Sequence, residues 1–418
     1  MTQHCPTTRV RRALAWAAAI ALPCIVLSLT TQAQTFAVIH TFTGGADGAA
    51  PNGSLTFDRA GNLYGTATGG GHTASNCISG GCGTVFKLTR RNGSWIFSPL
   101  YSFQGNGDAA NPFSGVTIAP DGSLYGTTTL GGTFGYGTVY NLRPAPRFSA
   151  NVLAQWDETV LYEFGGSGAG GYPGFGSLIF DPAGNIYGTA EIGGVECTTD
   201  IGDCGTVFKL TPSGGGWTLS YYAFPGGADG GNPLSGVVMD AAGNLYGVTD
   251  IGNYDPVAYE LSPSGSGWIE TPLYQFGDDD TRGGVILDGA GNLYGTTVLD
   301  GTVYELSPSS GMWNYTLLHT FSGPSGPWNG VVQDASGNLY GTTCGDGTHG
   351  QGSVFKLTRS GGGWTETDLY EFTGGSDGSC PVGGLALDAA GDIFGTASYG
   401  GGSGCSGGCG VVWEITPL

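Results

Sequence analysis

The chain has 418 residues, of which 82 are Gly, with 39% hydrophobic and 11% aromatic residues. The glycines do not recur at every third position, which excludes collagen, and the apolar content excludes a disordered tract unable to bury surface. With 13 Lys+Arg against 33 Asp+Glu and a net charge of -20, no basic face is available for a phosphate backbone, so nucleic acid is not expected as a partner.

At the N-terminus, Arg9, Arg11 and Arg12 precede an apolar run from Ala13 to Leu29, and Thr31-Gln32-Ala33 follows it with small residues. This order predicts a secretory signal peptide over residues 1–33. The run holds Pro23 and falls short of the ~20 residues of a spanning helix, and Pro23 before Cys24 does not fit a lipidation site. Removal of residues 1–33 leaves 10 basic and 33 acidic side chains and no second run of spanning length. The expectation is an exported protein, extracellular or periplasmic, without membrane insertion.

Residues 34–418 are expected to form one domain. Thr35 to Phe42 reads as a strand. A phrase Asp-x-x-Gly-Asn-Leu-Tyr-Gly-Thr then begins at Asp58 and recurs with small changes at Asp181, Asp240, Asp288, Asp334 and Asp388, with a seventh copy over Ala119 to Thr127. Its aromatic residue stands at 64, 125, 187, 246, 294, 340 and 394, a period near 55. Each copy offers four strand-like pieces: an apolar run such as Val285-Ile286-Leu287, then Leu-Tyr-Gly-Thr-Thr, then Gly-Thr-Val-Tyr-Glu-Leu, then a run opened by Trp95, Trp156, Trp217, Trp268, Trp313 or Trp364. Four strands per copy over this period predict an all-β, seven-bladed β-propeller with four-stranded blades. The tryptophans, at one repeat position, are expected to pack between blades.

The chain ends on Val411 to Ile415, which matches the third strand of a copy, whereas Thr35 to Phe42 matches the fourth. The ring is therefore expected to close by the N-terminal strand pairing with the C-terminal blade, covering an edge that would otherwise template aggregation.

Eight cysteines follow the signal segment, all in expected loops, and an exported chain oxidises them. The predicted pairs are Cys77–Cys82, Cys197–Cys204 and Cys405–Cys409 within single loops, and Cys344–Cys380 between a loop and a blade connection on the same face. A zinc site through His72 or His349 is the lesser alternative.

No nucleophile, base and orienter can be assembled, because His40 and His319 replace packing tyrosines and His72 and His349 have no repeated partner. Arg59, Arg90, Arg91, Arg143, Arg147, Arg282 and Arg359 read as scattered over turns and linkers. Lys87, Lys209 and Lys356 share one position with Glu260, Glu305 and Glu414, read as a strand surface. One acidic cluster rises above the repeat: Asp250, Asp255, Asp278, Asp279, Asp280 and Asp300 belong to one propeller face. Oxygens from separate loops suit calcium, at Asp278, Asp279, Asp280 and Asp300; a solvated acidic patch is the plainer reading. No cofactor is required.

The tandem Gly-Asn-Leu-Tyr-Gly-Thr-Thr, Gly-Thr-Val-Phe-Lys-Leu and Gly-Gly-Gly-Trp-Thr-Glu-Thr-x-Leu-Tyr-x-Phe resembles the Gloeobacter/Verrucomicrobia repeat proteins of bacteria, over essentially all of residues 34–418. More distantly the phrase is similar to propeller repeats of two-component sensor periplasmic domains. The resemblance implies a bacterial exported propeller, often carried with a surface anchor, and no established activity; with Leu418 as the last residue read, covalent surface anchoring is not expected. Three functions stay open. The first is a non-catalytic binding propeller, likewise a monomer, holding a glycan, peptide or envelope partner on its loop-rich face. The second is a carboxylate-dependent polysaccharide hydrolase or lyase using Glu191, Glu196 or the Asp278 cluster. The third is a structural envelope protein.

Overall fold

The computed structural model describes residues 34–78, 80–145, 156–194, 204–250, 255–323 and 325–417. The expected signal segment, Glu196 and Cys197 lie outside them. Seven four-stranded antiparallel sheets follow one another along the chain, forming a seven-bladed β-propeller as the repeats require. We number the blades 1 to 7 from Thr56, and each blade's strands from the axis outward. The innermost strands are short, Thr56–Phe57 in blade 1 and Val285–Leu287 in blade 5, whereas the outermost reach nine residues in Ser94–Ser102. Two small ribbons that the sequence did not suggest, pairing Ala109–Ala110 with Leu130–Gly131 and Gly168–Gly171 with Ile192–Gly194, stiffen loops of blades 2 and 3.

The repeated phrase is a carboxylate clasp. In blade 6 one oxygen of Asp334 accepts the backbone N–H groups of Ser336 and Asn338 (2.8 and 2.9 Å), and the other accepts Asn338 Nδ2–H and Tyr340 O–H (2.7 and 3.0 Å). Gly337, at φ +83°, completes the turn where a side chain would be strained. The same four bonds form at Asp58, Asp181, Asp240 and Asp288. In blade 7 Asp392 and Phe394 replace the two side-chain donors together, and Asp388 keeps only the two backbone bonds. The phrase's second glycine has a packing role. Gly65 lies opposite Phe86, and a Cβ on it would stand 2.6 Å from that ring. Tyr140, Phe208, Tyr259, Tyr304, Phe355 and Trp413 fill the same slot in the other blades, and all are buried.

The tryptophans pack between blades, as expected: Trp95 stands 5.6 Å edge-on from Phe394 of blade 7, and Trp268 stands 6.1 Å from Tyr187 of blade 3. His40 stacks on Phe97 at 3.7 Å in the place of a packing tyrosine. Four arginines correct the sequence reading, Arg90, Arg91, Arg143 and Arg359 all lying on third strands rather than on turns or linkers. Arg90 and Arg359 sit on third strands and reach across to the preceding blade, Arg90 to Glu414 (3.3 Å) and Arg359 to Glu305 (3.4 Å). Each also lies over its own blade's tryptophan. The lysines of this position are half-buried and lie over tyrosine rings, Lys87 at 5.1 Å from Tyr64.

Thr35–Thr41 pairs antiparallel with Val411–Thr416, Phe36 opposite Ile415, and so supplies the fourth strand of blade 7. Glu414 fixes the seam to blade 1 by accepting Trp95 Nε1–H at 3.0 Å besides pairing with Arg90. Among the described residues, no helix is long and apolar enough to cross a membrane.

Candidate functional site

Antiparallel order sends the loops between second and third strands, and the connections between blades, to one face. The disulfides Cys77–Cys82, Cys344–Cys380 and Cys405–Cys409 all lie there, as predicted from sequence. Six exposed large hydrophobic side chains also lie there, Ile78, Phe134, Phe175, Leu299, Trp328 and Tyr399, whereas the opposite turns carry Met312, at the hairpin into the outer strand of blade 5.

At the centre of this face a cavity of about 710 Å³ runs into the axis. Its rim is built by one repeat position, four residues before the innermost-strand residue that faces the phrase's aromatic. Blades 1 to 7 place there Asn52, Phe113, Phe175, Leu234, Arg282, Trp328 and Val382, and all seven line the cavity. The residues just after them are Gly or Ser in six of the seven blades, Asn329 being the exception, because the collar is tight: a Cβ on Gly53 would meet the Ser114 carbonyl of the next blade at 2.7 Å. Below the rim the wall is aliphatic, with Ile179, Val238, Ile286 and Val332. Aromatic rings concentrate at the mouth. Phe113 and Phe175 lie 5.1 Å apart, and Phe175, Trp328 and Tyr399 are 48%, 37% and 51% exposed.

Arg282 is the rim's single charged residue. Its guanidinium lies 4.9 Å over the Trp328 ring, and its Nε donates to Asp280 Oδ2 at 2.7 Å, with Asp250 Oδ2 at 4.0 Å. Those two carboxylates are sealed beneath it, with side chains 6% and 9% exposed. Burial first, and Asp250 second, push the Asp280 carboxyl up to about 7 against the pull of Arg282. Asp280 is therefore harder to ionise than an ordinary carboxyl, because it is buried and has a second carboxylate beside it. Glu191 also feels Arg282, although burial raises its pKa.

The six acidic residues singled out from sequence thus separate into three situations. Asp250 and Asp280 hold Arg282. Asp279 braces two loops, accepting the backbone N–H groups of Asp280, Leu299 and Asp300 at 2.8, 3.0 and 3.1 Å. Asp255, Asp278 and Asp300 are exposed. Among the described residues no group of three or more His, Cys, Asp or Glu is arranged to hold a metal ion. His72 and His349 are exposed loop residues. The rim itself escaped sequence reading because it is the position where the repeats differ. Its one signal is the proline directly before it in most copies, Pro51, Pro112, Pro233, Pro327 and Pro381.

Among solved structures, the chain is similar to virginiamycin B lyase from Staphylococcus aureus, at 14% identity over 92% of this chain and 99% of that one, with a TM-score of 0.55. It is similar also to a fungal alcohol oxidase in complex with copper, at 13% identity over 92% of this chain and 77% of that one, with a TM-score of 0.55. At such identities the likeness is one of fold, and propellers host unrelated functions. No curated protein matches the chain. The Gloeobacter/Verrucomicrobia repeat model matches residues 24–201 and 284–418, and the chain belongs to that repeat family.

Proposed function

We propose that this protein is an exported binding propeller whose ligand site is the aromatic-rimmed axial cavity on the loop-rich face. The observation that carries this reading is the concentration of exposed rings, Phe175, Trp328 and Tyr399, around a concave site. Exposed aromatic side chains on a rigid ring favour recognition, since apolar surface in water is stabilised when a partner covers it. The cavity's size lies within the roughly 300–1,000 Å³ range of small-ligand sites. Export accords with the signal-like residues 1–33 and with loop disulfides.

One observation favours a second reading, polysaccharide hydrolysis or lysis: two buried carboxylates, Asp250 and Asp280, converge on Arg282 beside the cavity, and burial raises the Asp280 carboxyl toward the range of acid–base chemistry. Both carboxylates, however, are covered by the arginine they hold. A glycan, polysaccharide and peptide panel, scored for binding and cleavage in the same sample, separates the two. Saturable binding without product supports the binding role, and turnover lost in Asp280→Asn supports the second.

A further inference from the structure

Given that the cavity is the ligand site, its chemistry restricts what enters. Arg282 is already matched by the Asp280 carboxylate at 2.7 Å and by Asp250 behind it, on a protein with a net charge of -20. An anionic ligand gains little from a guanidinium so neutralised and meets repulsion from the whole surface. An extended peptide needs a free sheet edge to extend. The edges facing the axis are strands of two or three residues, such as Val238–Met239 and Val332–Gln333, too short to template one.

What remains suits a ring with an apolar face and hydroxyl edges. Phe175 and Trp328 stand three blades apart on the rim, each a partly exposed ring that C–H groups can pack against, Trp328 with Arg282 over one side. The Nε of Arg282 is committed to Asp280, while its two Nη groups have no hydrogen-bond partner among the described residues. The stack on Trp328 and the bond to Asp280 hold the guanidinium in place, so its donors are fixed before a ligand arrives. We propose that the axial cavity binds the end of a neutral oligosaccharide, with Phe175 and Trp328 as stacking platforms and Arg282 donating to sugar hydroxyls.

The test titrates full-length protein, by calorimetry and tryptophan fluorescence, with cellohexaose, xylohexaose, mannohexaose and chitohexaose, and with hexagalacturonate and a random decapeptide pool as the charged and peptidic probes. The expected result is saturable binding of at least one neutral hexasaccharide, insensitive to sodium chloride and tenfold or more tighter than hexagalacturonate. Phe175→Ala and Trp328→Ala each weaken it at least tenfold without changing the melting temperature, and Phe175→Ala stands as the test if Trp328→Ala does not fold. Preference for hexagalacturonate or peptide, lost in these variants, overturns the neutral-sugar assignment while the cavity stands. Sugar binding that both variants leave intact overturns the cavity as the site. Silence with all four neutral sugars overturns the assignment as well.

Discussion

The guanidinium of Arg282 lies 4.9 Å from the ring centroid of Trp328 on the next blade, held from behind by Asp280. One cation thus links two blades at the mouth of the axis and fixes the plane of an exposed ring. Asp280→Asn removes the charge but keeps the shape, so Arg282 should lose its anchor and Trp328 its order. The expected outcome is faster quenching of Trp328 fluorescence by acrylamide and weaker ligand binding, by about tenfold, with the fold retained. Unchanged quenching would show that the stack does not depend on Asp280.

The blade interfaces predict the pH dependence of stability. Burial pushes Glu158 up to about 9 and Glu270 and Glu366 up to about 7, with Glu270 accepting the Tyr222 hydroxyl at 2.5 Å. A carboxyl whose pKa is higher folded than unfolded keeps its proton in the fold, so stability falls as pH rises from about 4.5 toward these values. The clasps act oppositely. Although burial opposes it, Asn338, Tyr340 and the turn's backbone N–H groups hold Asp334 below its ordinary range, and that stability is lost below about pH 4. The melting temperature should peak near pH 5 and fall toward pH 8. Glu270→Gln should recover about 1–3 kcal/mol at pH 8 and little at pH 5. A melting temperature that climbs from pH 5 to pH 8 would contradict the assignment.

The clasp can be measured against its natural truncation. Asp334→Ala removes four hydrogen bonds to a charged acceptor and should cost about 2–4 kcal/mol by urea unfolding, whereas Asp388→Ala removes two and should cost about half as much. Equal losses would mean that the side-chain donors Asn338 and Tyr340 contribute nothing.

These features differ in how far the sequence exposes them. The Asp58-type phrase recurs along the chain, so repetition reveals the blades, and the incomplete copies at the two chain ends reveal ring closure, whereas the opposition of Gly65 to Phe86 emerges only from the strand register. Arg90–Glu414 and Arg359–Glu305 were missed because each pairs residues of different copies, and only the ring brings them together. The rim was missed for the opposite reason. A repeat is recognised by what stays constant, and Phe175, Arg282 and Trp328 occupy the position that varies. The acidic cluster was seen by composition, but composition does not say that Asp279 would turn inward to brace Leu299 and Asp300.

Ring closure has its own test. Deleting residues 35–42 strips blade 7 of its outer strand and exposes the edge of Val411–Thr416, so the protein should aggregate or lose several kcal/mol of stability. Glu414→Gln, which keeps one acceptor oxygen for Trp95 and loses the charge facing Arg90, should cost about 1 kcal/mol or less by thermal unfolding, since Arg90 is half exposed. A monomeric deletion protein with an unchanged melting temperature would remove the N-terminal strand from the account.

The disulfides should differ in weight. By the loop-entropy model, Cys344–Cys380, 36 residues apart, contributes nearly 4 kcal/mol, and Cys77–Cys82, 5 apart, about 2. Replacing each pair by serine and comparing urea midpoints checks the ranking. Non-reducing peptide mapping checks the predicted fourth bridge, Cys197–Cys204.

The central claim is that ligand binding resides in the axial cavity and in no other part of the loop-rich face. It is tested most directly by screening one immobilised panel of glycans, polysaccharides and envelope peptides with three proteins: wild type, Phe175→Ala/Trp328→Ala at the rim, and Phe134→Ala/Leu299→Ala on the same face away from it. The account predicts that a ligand bound by wild type is retained by the outer-loop variant and weakened at least tenfold in the rim variant, with all three melting alike. Retention by the rim variant, together with loss in the outer-loop variant, would contradict it.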